Sequence, residues 1–147
     1  MDYLTRWAEA TPAKYCTART VTKFLFENVV TKFCCPKIIL SDQGTHFVNK
    51  LIDEITAEFQ ILHRKMTPYH PQANVTVEEF NKILENALTK VCNMNRDNWD
   101  QKVLAVLWEY HTTCKILSAH TPFRLVYGQE VVVPMEYIVS SFQMSDV

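Results

Sequence analysis

The chain has 147 residues, 48% of them hydrophobic and 21% charged, a globular composition that excludes two large domains and compositional disorder. Fifteen basic and sixteen acidic residues leave a formal charge of −1, so no global positive field advertises a polyanion partner. Any nucleic-acid contact then has to come from a local patch such as His63, Arg64 and Lys65. Only two glycines, Gly44 and Gly128, are present, which argues against a sandwich rich in left-handed turns and for an α/β or all-α domain. Five cysteines without C-x-x-C spacing argue against a disulfide framework and a Cys-type zinc site, and for a reducing compartment. Neither a membrane-length apolar run nor a secretory pattern occurs, so the expected location is nuclear or cytoplasmic.

In chain order, Met1 to Ala13 is predicted as a short strand or the end of one, closed by Pro12. Thr17 is a candidate cap for a helix in which Ala18, Val21, Leu25, Val29 and Phe33 recur on one stripe. Pro36 ends it. Lys37 to Ser41 reads as a buried strand, followed by turn chemistry at Asp42-Gln43-Gly44. Val48, Leu51, Ile52, Ile55 and Phe59 form the next helical stripe, and Gln60 to Lys65 a second strand. Met66 to Thr76, with Pro68 and Pro71, is predicted as a loop. The helical pattern beyond it is the clearest in the chain, with Val77, Phe80, Ile83, Leu84, Ala87, Leu88 and Val91 inward and Glu78, Lys82, Glu85 and Thr89 on the polar side. A further helix carries Trp99, Val103, Val106, Leu107 and Tyr110 inward, and from Thr121 onward an extended tail is predicted. Strands alternating with helices make the fold class α/β.

Asp42 follows a buried strand and Glu78 lies in the predicted first turn of a helix, with 35 residues between them. Two carboxylates at such positions approach one another only against repulsion, and a divalent cation is the usual remedy. The competing reading makes Asp42 a turn former and Glu78 the partner of Lys82 in an exposed i,i+4 pair.

The run S-D-Q-G-T-H-F at 41–47, followed by Y-H-P-Q-A-N-V-T-V-E-E-F-N-K at 69–82, resembles the catalytic core of retroviral and retrotransposon integrases. D-Y-L-T-R-W-A-E-A at 2–10, W-E-Y-H at 108–111 and T-P-F-R-L-V-Y-G-Q-E at 121–130 resemble the Ty3/gypsy class of that family specifically. The resemblance spans essentially the whole chain. It implies an RNase H-like fold over 1–115, followed by a C-terminal tail over 116–147, and DNA strand transfer supported by two Mg²⁺ or Mn²⁺ ions about 4 Å apart. The family's second catalytic Asp maps to Asp42 and its Glu to Glu78, which are then both catalytic and metal-holding. Tyr69, Gln72, Asn74, Asn81 and Lys82 map to positions near DNA. The implied partners are element-end and target DNA and further copies of the chain, with no membrane and no small-molecule substrate.

The first catalytic Asp of the family lies on a central strand upstream of the segment resembling D-Y-L-T-R-W, so the resemblance implies an N-terminally truncated core with weakened metal binding and poor activity. Asp2 matches an acidic strand-end position outside the triad. Val75 stands where relatives commonly carry Gly and Glu79 where they carry a small residue. Two other readings stay open: a non-catalytic nucleic-acid-binding or self-associating remnant, and a partial reading frame without function.

Overall fold

The computed structural model describes residues 1–66, 71–92, 97–116 and 118–132, with the backbone alone for 71–74. The chain divides into two compact units, one built from Glu9–Leu107 and the other from Met1–Ala8 with Trp108–Val147.

In the first unit, helix α1 (Ala18–Leu25) starts where the Thr17 hydroxyl accepts the Thr20 amide at 3.2 Å. A π-helical turn, Phe26–Val30, widens it before a last turn, α2 (Thr31–Phe33). Cys34, at φ 65°, breaks the helix by entering left-handed space. Strand β1 (Ile38–Ser41) follows, then α3 (Lys50–Glu58), capped by the Asn49 side chain on the Ile52 amide, then β2 (Leu62–Lys65). β1 and β2 are parallel, Ile38 opposite Leu62 and Ser41 opposite Lys65, with α3 as the crossover that parallel strands require. Helix α3 packs on α1 and against β2.

The pleat sorts the two faces of this ribbon. Ile39 and Ser41, with His63, share the more covered face, while Ile38, Leu40 and Leu62 stand 40–50% exposed on the other. Val21, Ile52, Ile61, Phe80, Val103, Val106 and Leu107 are the buried apolar residues described in this unit. Helices α4 (Pro71–Val91) and α5 (Trp99–Thr112) follow, α5 contributing residues to both units.

The second unit joins two separated stretches of sequence. The Trp7 ring stacks on His111 with centroids 3.7 Å apart, and His111 Nε2 donates to the Ala8 carbonyl at 2.7 Å. Tyr127, on α6 (Pro122–Tyr127), meets Trp7 edge-on at 5.6 Å and packs on Phe123 at 4.8 Å. Lys115 Nζ lies 3.6 Å from the Tyr110 ring centroid, and burial outweighs the charges of Cys114 and Glu109 in lowering its pKa.

The predicted elements need three corrections. No strand forms in Met1–Ala13: the Asp2 carboxylate accepts the Thr5 amide at 2.7 Å and hydroxyl at 2.6 Å, and Asp2 and Trp7 close a turn in which Arg6 is left-handed at φ 61°. The predicted loop from Met66 to Thr76 ends early, because α4 begins at Pro71, where a missing N–H costs the helix nothing. Thr121 onward is not all extended: Thr121 caps α6, Pro122 opens it and Gly128, at φ 73°, closes it.

Candidate functional site

β1 delivers Asp42 to its carboxyl end, the end of a parallel strand at which α/β proteins place their ligands. The side chain is exposed. Its Oδ1 accepts the Gly44 amide at 2.9 Å, so one oxygen is committed to the turn. A side chain at 44 would crowd its neighbours. A Cβ at 44 would lie 3.0 Å from that Oδ1 and 3.0 Å from His46 Nε2.

The turn is tied to the end of β2. The Met66 amide donates to the Ser41 carbonyl at 2.8 Å, and Gln43 Nε2 donates to the Met66 carbonyl at 3.3 Å. Beneath it, Ser41 Oγ lies 2.8 Å from His63 Nε2 and 2.9 Å from the Asp42 carbonyl. His63, in sequence part of a basic patch with Arg64 and Lys65, is half-buried and hydrogen-bonded, while Arg64 and Lys65 are exposed. Burial, then Lys65, push the His63 pKa down, opposed by Asp53 of α3.

Glu78 does not lie in the first turn of its helix. It sits seven residues beyond Pro71, about 10 Å along α4. Glu78, Asn81 and Lys82 are all exposed, and their spacing puts them on one stripe, opposite buried Phe80. No ion pair among the described residues uses Glu78 or Lys82, so the i,i+4 pair is not formed. Asn81 also lines an open groove of about 390 Å³ with Leu84, Leu88 and Trp99. Gln72 and Asn74 lie on the first turns of α4, whereas their side chains, and Tyr69 altogether, are outside the described residues.

Asp2 is a turn former. Burial alone would raise its pKa, but the Thr5 hydroxyl and the Thr5 and Leu4 amides hold it below the ordinary value. Among the described residues no three His, Cys, Asp or Glu side chains form a metal-holding group. Asp42, with one oxygen engaged, and Glu78 are both exposed carboxylates, the hard oxygen donors that Mg²⁺ prefers; it keeps several waters and is held by one or two carboxylates.

The signal that sequence reasoning missed is the Ser41–His63 contact. Both residues are visible in the motif and the strand, but their pairing depends on the β1–β2 register.

No family model matches the chain. In sequence it is 25% identical over 134 residues to the Retrovirus-related Pol polyprotein from transposon 412 of Drosophila melanogaster, covering 91% of this chain and 11% of that protein. Against the Gag-Pol polyprotein of Feline leukemia virus it is 30% identical over 131 residues, 87% of this chain and 8% of that one. The chain thus spans about a tenth of these relatives. In structure it superposes on a chain of the simian T-cell lymphotropic virus intasome with a TM-score of 0.74 and 21% identity, covering 90% of this chain and 48% of that one. With the HTLV-2 integrase catalytic core domain in complex with magnesium, in a trimeric form, the TM-score is 0.68 at 21% identity, over 84% and 78% of the two chains. The fold is that of integrase catalytic cores, RNase H-like. Among the described residues no helix is long and apolar enough to cross a membrane.

Proposed function

We propose, for a chain that belongs to the retroviral integrase superfamily as an integrase catalytic core of the Ty3/gypsy type, that Asp42 and Glu78 jointly hold Mg²⁺ and that the exposed α4 stripe of Glu78, Asn81 and Lys82 receives DNA. The observation that carries this is the placement of Asp42, pinned by the Gly44 amide at the carboxyl end of β1, in a chain with this fold. The magnesium bound by the HTLV-2 catalytic core supports the choice of cation.

The chain's own groups divide the work. Asp42 and Glu78 present hard oxygen to the cation, which when bound compensates charge on a phosphodiester under attack. Lys82, one turn beyond Glu78 and exposed, supplies the positive charge that holds a phosphate oxygen. Asn81, beside it, offers a neutral donor and acceptor to the backbone. Tyr69, Gln72 and Asn74 complete the DNA-facing set by motif. The reaction is DNA strand transfer, in which a DNA 3′-hydroxyl displaces a 3′-oxygen in the target phosphodiester. The intasome and the trimeric form of the relatives support self-association as part of the working state.

The test is duplex binding by fluorescence anisotropy, with and without Mg²⁺. Asp42→Asn or Glu78→Gln is expected to remove the Mg²⁺-dependent part of the affinity, and Lys82→Ala to weaken binding uniformly and reduce the salt slope by about 1. Salt-dependent binding that ignores both Mg²⁺ and the carboxylate substitutions would favour a non-catalytic binding module instead.

A further inference from the structure

We propose that His63 is a positioning residue for Asp42, acting through the buried hydroxyl of Ser41; this deepens the metal-site reading above and rests on it. The two side chains come together because β1 and β2 are parallel with Ile39 opposite His63, which puts His63 on the sheet face shared by Ile39 and Ser41. Ser41 is 5% exposed, so both its proton and its lone pairs need partners inside the protein.

The hydrogen-bond directions follow from counting protons. A serine hydroxyl has one, and the Ser41 Oγ–H donates to the Asp42 carbonyl at 2.9 Å. The contact with His63 Nε2 at 2.8 Å must then run the other way, with Nε2–H donating to Oγ. That assigns the neutral ring its Nε2–H tautomer. It also distinguishes the pair from a nucleophile and its base, since the serine is buried and its proton points to a main-chain carbonyl.

The chain from His63 to Ser41 to the Asp42 carbonyl fixes the peptide plane after Asp42. Two residues on, the Gly44 amide that holds Asp42 Oδ1 hangs from the same short turn. Gln43 and Met66 close the turn from the β2 side. With the carbonyl held on one side and Oδ1 on the other, the carboxylate keeps one orientation before any cation arrives. That pre-organisation is what a site with few protein ligands needs.

The experiment uses the full chain with Mn²⁺ as the probe, comparing His63→Leu, His63→Gln, Ser41→Ala and the double variant Ser41→Ala/His63→Leu. Nitrogen NMR of the wild type should show His63 in the Nε2–H tautomer. In His63→Leu and in Ser41→Ala, exchange of the Gly44 amide is expected to rise about fivefold, the worth of one ordinary hydrogen bond, with Mn²⁺ affinity falling by a similar factor. His63→Gln, which keeps a donor near Nε2, should restore both, and the double variant should be no worse than either single. Gly44 exchange unchanged in His63→Leu, or His63→Gln no better than His63→Leu, would overturn the proposal. Mn²⁺ affinity unaffected by Asp42→Asn would count against the metal reading, while Gly44 exchange still decides the positioning role.

Discussion

At the scale of single residues, the site is a matter of how Asp42 is held. Its Oδ1 bond to the Gly44 amide follows from the sequence, since Asp two residues before Gly is a turn signature. The support from His63 does not, because the two partners stand 22 positions apart and meet only through the strand register. The same packing gives His63 a pH signature. Burial and then Lys65 hold its pKa below the ordinary 6.5, against the pull of Asp53. The fold therefore favours the neutral ring: His63 leaves stability undiminished above about pH 6.5, and stability is lost as pH falls through the lower folded value. Thermal melts followed from pH 7 to pH 5 should show a steeper loss for the wild type than for His63→Gln. Equal slopes would mean that another group is responsible.

At the scale of elements, periodicity located the helices well and punctuation located their ends poorly. Val21, Ile52 and Phe80, all inward by spacing alone, are buried, whereas Val77, Ile83, Val91 and Trp99, inward by the same spacing, stand 38–49% exposed. Pro71 fits loop chemistry by sequence, although proline is also a favoured first helical residue, and its role at the helix start places Glu78 in the third turn, not the first. Thr121-Pro122 and Gly128 carried the same ambiguity, and α6 shows the helical meaning of both. The Thr121 hydroxyl accepts the Arg124 amide at 3.0 Å, so Thr121→Ala should cost about 1 kcal/mol and raise amide exchange in α6 first. A loss confined to α1 or α3 would assign the stability elsewhere. The exposed face of Ile38, Leu40 and Leu62 was not legible at all. An apolar strand run predicts burial on both sides, and only the structure shows one side open to water.

At the scale of the whole chain, the separated motifs gained a physical meaning. D-Y-L-T-R-W, W-E-Y-H and T-P-F-R-L-V-Y-G supply Trp7, His111 and Tyr127 to one ring cluster, so stretches far apart in sequence meet in one packed group. The opening Asp2, a tempting third carboxylate, belongs to the turn that leads into that cluster. The class of fold was legible from alternating strands and helices, and the family from ordered motifs; what neither supplied was side-chain direction, which depends on register and caps. The central claim is that Asp42 and Glu78 share one cation. Its most direct test is paramagnetic broadening of backbone amide signals by substoichiometric Mn²⁺ in the full chain. Broadening should reach Gln43 and Gly44 together with Glu78 and Asn81, and Asp42→Asn or Glu78→Gln alone should abolish it at both places. Broadening at only one of the two segments, or persisting after either substitution, would contradict the shared site.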